Sequence, residues 1–220
     1  MSEDKHGNRT QIATIRLRKM ITAGELSAGQ RISEREIIEQ SPDLSRTPIR
    51  EALKILAAEG LVNLSPNRGA VVTALTTTEI EDILELTIGL EALAAERTCQ
   101  RISDAQIADI GRLHQQMREA FCEERLMDYF EINQSIHQKI VEAAGNRELA
   151  RIHAAQCARI KRYRYAGNRC HERWPKAMAE HDQIFAALQE RSGALLREML
   201  NAHHRNGWKV TKTLLDKGSV

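Results

Sequence analysis
Apolar residues recur at helical spacing over nearly the whole chain, and only once does the period shorten to that of strands. Within residues 11–23, Ile12, Ile15, Leu17, Met20 and Ile21 form an approximate stripe that predicts a first helix, ended by Gly24. In RISEREIIEQ, Ser33 precedes Glu36 by three residues. At that separation an N-cap hydroxyl and a returning carboxylate satisfy two orphan amides, so a short second helix is predicted there. SPDL, residues 41–44, reads as a turn. In SRTPIREALKILAAEGLV, residues 45–62, Ile49, Ala52, Leu53 and Leu56 follow the i, i+3, i+4, i+7 pattern of a third helix. Pro48 is tolerated in its first turn, where a missing N–H has no partner to lose, and Gly60 suits the left-handed closing position. LVNLS and AVVTA then break the period; they are rich in β-branched residues and flank Pro66, Asn67, Arg68 and Gly69, which predicts a hairpin.

Beyond residue 75 the pattern is helical throughout. Thr78 and Glu81 repeat the capping-box spacing, and helices are predicted over about 79–101, 104–123, 126–144, 147–165, 174–190 and 193–215. Ser103 with Gln106 caps one, and Gly145 with Asn146 separates two others. The chain is therefore read as mainly α. Residues 1–75 hold three helices and a hairpin, and residues 76–220 form an all-α helical bundle.

The third helix raises a chemical question. With its apolar side turned inward, Arg46, Arg50 and Lys54 stack along the opposite face at i, i+4 spacing, bordered by Thr47. A short helix, a turn and a second helix with base-reaching side chains in its first turn is the arrangement that enters a major groove. There arginine grips guanine O6 and N7, hydroxyls hold the backbone, and the helix N-terminus faces phosphate. Arg68 beside Gly69 at the hairpin tip is shaped for a neighbouring groove. A solvated face on a small core is the plain alternative for an isolated RxxxR; the succession of elements around it argues against that reading.

Bulk composition constrains this only weakly. The chain has 220 residues and a formal charge of +2, with 11 basic and 9 acidic residues up to Leu75 and 21 of each after it. So small an excess does not imply a polyanion partner, and the case for nucleic acid rests on where the arginines stand. Cys99, Cys122, Cys157 and Cys170 form no CxxC pair, which fits a reducing compartment. The N-terminal residues lack a signal-peptide apolar core and no apolar run approaches a bilayer span, so the expected location is the cytoplasm, without membrane association.

AGELSAGQRISEREIIEQ, LSRTPIREALKILAAEGLV and PNRGAVV together resemble the winged helix-turn-helix of the GntR family of bacterial transcription regulators. The resemblance implies double-stranded operator DNA as partner, with contacts from Arg35, Ser45, Arg46, Thr47 and Arg50 and wing contacts from Arg68 and Gly69. SPDLS stands where that family more often has a glycine turn.

The eight histidines give the second unit its candidate chemistry. His6, His114, His153 and His171 have no evident mates. Asn133 and His137 share a helix face, and His181 and His203 lie on later helices; three imidazoles and one oxygen from three helices can enclose a divalent ion. Spacing alone leaves satisfied core histidines as the alternative. INQSIHQKIVEAAGN, EHDQIFAAL and REMLNAHH, however, resemble the FCD effector domain of the FadR subgroup. That resemblance implies a metal on Asn133, His137, His181 and His203, zinc first with nickel or manganese as alternatives, beside a pocket for a small carboxylate. His204 is a register alternative to His203. Thr87 falls where relatives usually place a carboxylate-pairing arginine; Arg159, Arg162 and Arg164 are possible substitutes, with Tyr163 or Tyr165 as an aromatic wall. The function implied is a ligand-responsive homodimeric regulator, a repressor released by a small organic acid. The rival is a metal-dependent hydrolase on the three-histidine set, although Glu131 and Glu180 point about 100° away from their site neighbours and no nucleophile motif occurs.

Overall fold
The computed structural model describes residues 2–66 and 69–217. Its contacts divide the chain into two compact units, Met1–Thr76 and Thr77–Val220.

In the first unit, helix α1 (Ser2–Ala23) packs on α3 (Arg46–Ala58), with the short α2 (Glu34–Gln40) between them in sequence. Ser33 caps α2 by accepting from Glu36 N. Helix α1 begins well before the stripe that revealed it. Its inward residues Ala13, Leu17 and Ile21 meet Ile37, Leu44, Ile49, Leu53 and Leu56 in one core. Gly60 has φ +75°, and the chain passes into an antiparallel hairpin of β1 (Val62–Ser65) and β2 (Gly69–Val72), paired Val62 with Val72 through Ser65 with Gly69. Arg31 adds an antiparallel bridge to Val71. The ion pairs Arg16–Asp43 and Arg18–Glu59 tie α1 to the turn before α3 and to the end of α3.

The second unit is a helical bundle: α4 (Thr77–Arg101), α5 (Asp104–Cys122), α6 (Leu126–Ala143), α7 (Arg147–Asn168), a single 3-10 turn (His171–Arg173), α8 (Trp174–Gln189) and α9 (Gly193–Asp216). Ser103 and Gln106 form a complete capping box. Thr78 and Glu81 do not: α4 starts at Thr77, and the Glu81 carboxylate instead accepts from Lys212 Nζ at 2.6 Å and Trp208 Nε1 at 3.3 Å. Helix α4 packs on α6, α7 and α9, so its inner face looks toward three helices that carry histidines. Among the described residues no helix is long and apolar enough to cross a membrane.

Candidate functional site
The first candidate surface is the start of α3. Pro48, Ile49, Ala52, Leu53 and Leu56 are buried, which turns Ser45, Arg46, Thr47 and Arg50 outward, all exposed. Ser45 is the N-cap, yet its side chain makes no capping hydrogen bond, so its hydroxyl is available to a phosphate. Arg50 Nε donates to both Glu34 carboxylate oxygens, at 2.9 and 3.0 Å, while its side chain remains 63% exposed. Arg35 pairs with Glu39 at 3.2 Å and is also largely exposed. Gly69 has φ +69°, with the Arg31 guanidinium about 4 Å from where a Cβ would stand. Arg31 is thus a second basic group at the hairpin, which the sequence reading passed over because it lies outside the helices. Arg68 lies outside the described residues.

The second site lies inside the bundle. His137 on α6, His181 on α8 and His203 on α9 offer ligand nitrogens that all lie within 4.8 Å of one another, and all three residues are buried. Their ring centroids are 4.6–5.2 Å apart. Each of two histidines is oriented by a carboxylate. His137 Nδ1 donates to Glu91 Oε2 at 3.0 Å, and His203 Nδ1 donates to Glu180 Oε2 at 2.8 Å. That leaves the Nε2 lone pair of both rings for a metal, the carboxylate–histidine arrangement of metal sites. His137 Nε2 and His181 Nδ1 are buried without a hydrogen-bond partner among the described residues. Burial, reinforced by the neighbouring imidazoles, holds His181 and His203 well below the usual histidine range, so both are neutral donors at neutral pH. Neutral rings, converging nitrogens and orphaned buried atoms fit a divalent cation.

Asn133 stands beside this set, but as a hydrogen-bonding neighbour: its Nδ2 is 2.7 Å from His181 Nε2, and its Oδ1 accepts from Gln134 at 3.1 Å. The amide must turn end for end before its carbonyl can serve as a fourth ligand. His204, consecutive with His203 on α9, forms a second buried group of potential ligands with His137 and Glu91. Its Nε2 donates to Glu91 Oε2 at 2.8 Å, and burial, only partly offset by Glu91, lowers it to about 4.

Glu91 is the centre that sequence reasoning missed. It is 1% exposed and accepts from His137, from His204 and, through Oε1 at 2.9 Å, from His153 Nε2. Burial alone would raise this carboxyl, but the charges of His137 and His204 and the hydrogen bonds of His137 and His153 hold it well below the ordinary range. His153, set aside as unmated in the sequence, also places Nδ1 3.1 Å from Gln138 Oε1. Burial opposes its charge, yet bonds to Cys157 and Glu91 prevail and lift it to about 10, so an imidazolium faces the buried carboxylate. Glu180, dismissed as a base because it neighbours His181, is committed to His203, Asn206 and Arg173.

A cavity of about 50 Å³ opens beside these histidines, lined by Asn133, Tyr163, Arg164, Arg173, His203 and His204 together with apolar side chains. Of the residues expected at a ligand pocket, Tyr163 and Arg164 line it and Thr87, Arg159, Arg162 and Tyr165 do not. Thr87 is fully buried and donates to Ile83 O at 2.8 Å, Arg159 reaches Gln156 at 3.0 Å, and the Arg162 guanidinium lies 5.4 Å from the centre of the Tyr163 ring. The cavity's cations are Arg164 and Arg173.

Residues 10–72 match the bacterial regulatory proteins of the gntR family, and residues 82–206 match the FCD domain. The chain belongs to the GntR family of transcriptional regulators and carries an FCD domain. It is 27% identical over 212 residues to the HTH-type transcriptional regulator YdhC of Bacillus subtilis (strain 168), covering 92% of this chain and 90% of that protein. It is 26% identical over 187 residues to the HTH-type transcriptional repressor RspR of Escherichia coli (strain K12), covering 85% and 82%. Among solved structures, E. coli McbR/YncC superposes with a TM-score of 0.77 at 17% identity, covering 94% of this chain and 98% of that one, a likeness of fold. Proteins of this family are regulators and not enzymes, which sets the hydrolase alternative aside.

Proposed function
We propose that this GntR-family regulator is a homodimeric repressor that leaves a pseudo-palindromic operator when a small organic acid binds beside a metal in the FCD bundle. The observation that carries the reading is the convergence of His137, His181 and His203 on one another, with His203 also lining a cavity that holds Arg164 and Arg173. Three imidazoles and a neighbouring amide carbonyl suit zinc first, then nickel or manganese. When bound, the ion supplies a fixed positive charge facing the cavity. The chain's own residues do the rest: Glu91 and Glu180 orient His137 and His203, burial keeps His181 and His203 neutral, and the two arginines favour an anion. The repressor sign is supported by the relative RspR, which bears that description.

In the first unit, Arg46 and Arg50 read base edges, Arg35, Ser45 and Thr47 hold the backbone, and the hairpin with Arg68 and Gly69 enters an adjoining groove. Leu86, Leu93 and Leu195 leave 41–51% of their surface exposed on the second unit, apolar area that a second copy can cover. The acid regulates only if it prefers one arrangement of the paired heads; equal affinity for both shifts nothing. The protein works in the cytoplasm, where its DNA is.

Fluorescence anisotropy on DNA from upstream of the protein's own gene, with and without zinc and a panel of small acids, tests this. Sequence-preferring, salt-sensitive binding that a small acid weakens only with the metal loaded is the expected result. Binding indifferent to sequence, or unmoved by metal and every acid, would overturn it.

A further inference from the structure
Arg173 is 7% exposed, yet its two terminal nitrogens have different surroundings. Nη2 donates to Glu180 Oε2. Nη1 is buried and has no hydrogen-bond partner among the described residues, although Arg173 lines the cavity beside His203 and Asn133. A buried, unpaired guanidinium N–H is costly, and native proteins retain such groups where a ligand completes them. Glu180 does not complete it. Its Oε2 already accepts from His203 Nδ1 as well as from Arg173, and its Oε1 from Asn206 Nδ2 at 2.9 Å.

We propose that Arg173 Nη1 is the clamp for the effector's anionic group and selects for a compact acid, an assignment that rests on reading the bundle as an effector domain. Thr87 carries no charge and does not line the cavity, so the counter-charge comes from a different element, the 3-10 turn that leads into α8. The guanidinium is held in place before any ligand arrives, because its other end is fixed to Glu180, and preorganised donors of this kind are strong anion partners. Size follows from volume. A cavity of about 50 Å³ holds roughly four water-sized groups, enough for a carboxylate and a few carbons and too little for a long acyl chain. The clamp also touches the metal set: Glu180 joins Arg173 to His203 Nδ1, so an anion on Nη1 acts on the carboxylate that orients His203. Arg173 is in that respect a positioning residue for His203 as well as a ligand contact. Linkage then requires acid and metal to alter each other's affinity by the same factor.

The test uses the full-length protein, zinc-loaded and metal-free, with acetate, its neutral isostere acetamide, and octanoate as probes in thermal melts and titration calorimetry. Acetate is expected to raise the melting temperature in both states, more with zinc, while acetamide and octanoate at equal concentration do not. Arg173→Gln is expected to lower acetate affinity about 10- to 100-fold. Equal protection by acetate and acetamide in the wild type overturns the clamp without recourse to any variant, as does an absence of acetate protection. Acetate affinity unchanged in Arg173→Gln overturns it too, while leaving an acid-responsive regulator standing. Zinc affinity that acetate does not alter removes the link to His203.

Discussion
Arg50 is both paired and available. Its bond to Glu34 joins two side chains at the surface, and such pairs contribute little to stability, so a phosphate or a guanine edge can take the guanidinium over. Arg46→Ala and Arg50→Ala are therefore expected to reduce preference for the operator over random DNA by roughly tenfold or more each, with melting temperature nearly unchanged. Competition anisotropy and a thermal melt on the same preparations check this, and a large fall in melting temperature would show that the side chains support the core. Glu91 is the opposite kind of residue. Replacing it with Ala leaves the His153 imidazolium and two imidazole N–H groups without their acceptor in a dry interior, and denaturant unfolding is expected to register a loss of about 3–5 kcal/mol. The first pair was legible in the sequence because a helix with an apolar stripe fixes which residues point away from it. Glu91 was not: in LELTIGLEAL it reads as any acidic residue on a helix, and its partners lie 46, 62 and 113 residues further on.

Elements were legible in proportion to their period and their punctuation. Ser103 forms the full box its spacing predicts, Ser33 only the half in which its hydroxyl accepts from Glu36 N, and the bundle helices end within a few residues of where glycines and caps place them. The 3-10 turn His171–Arg173 left no trace, since three residues have no period, and with it Arg173 went unseen as a cavity residue. Helix α9 shows what a register alternative means physically. Consecutive residues on a helix point about 100° apart, so His203 joins His137 and His181 while His204 joins His137 and Glu91. The same helix begins with Gly193 pressed against α4, where a Cβ would stand 2.8 Å from Glu96 Cα. A backbone atom cannot swing aside as a side-chain tip can. Gly193→Ala is expected to destabilise the bundle by about 1–3 kcal/mol despite alanine's better helix propensity, measured by urea unfolding. A stabilised variant would mean that the start of α9 is free to move away from α4.

At the scale of the molecule, each unit packs a core of its own. One gathers Leu17, Ile21, Ile49, Leu53 and Leu56; the other gathers Ile110, Met117, Tyr129, Ile136, Ile140, Leu196 and Leu200. All the candidate metal ligands belong to the second unit. A ligand stabilises only the unit whose folded form binds it, by about 2.7 kcal/mol at a hundredfold excess over its dissociation constant. For a domain of this size that corresponds to a rise of roughly 5–10 °C. Calorimetry with and without zinc is thus expected to show two transitions, of which zinc moves the bundle's alone. His137→Ala should abolish that shift and reduce bound metal on mass analysis, since it removes one of three converging nitrogens, while operator preference in the absence of effector stays near wild type. The separation matters for regulation, because a head that keeps its fold and its reading face whatever the bundle binds can be controlled only through where the bundle carries it. Zinc moving both transitions together, or His137→Ala erasing DNA binding, would show instead that metal supports the reading face directly.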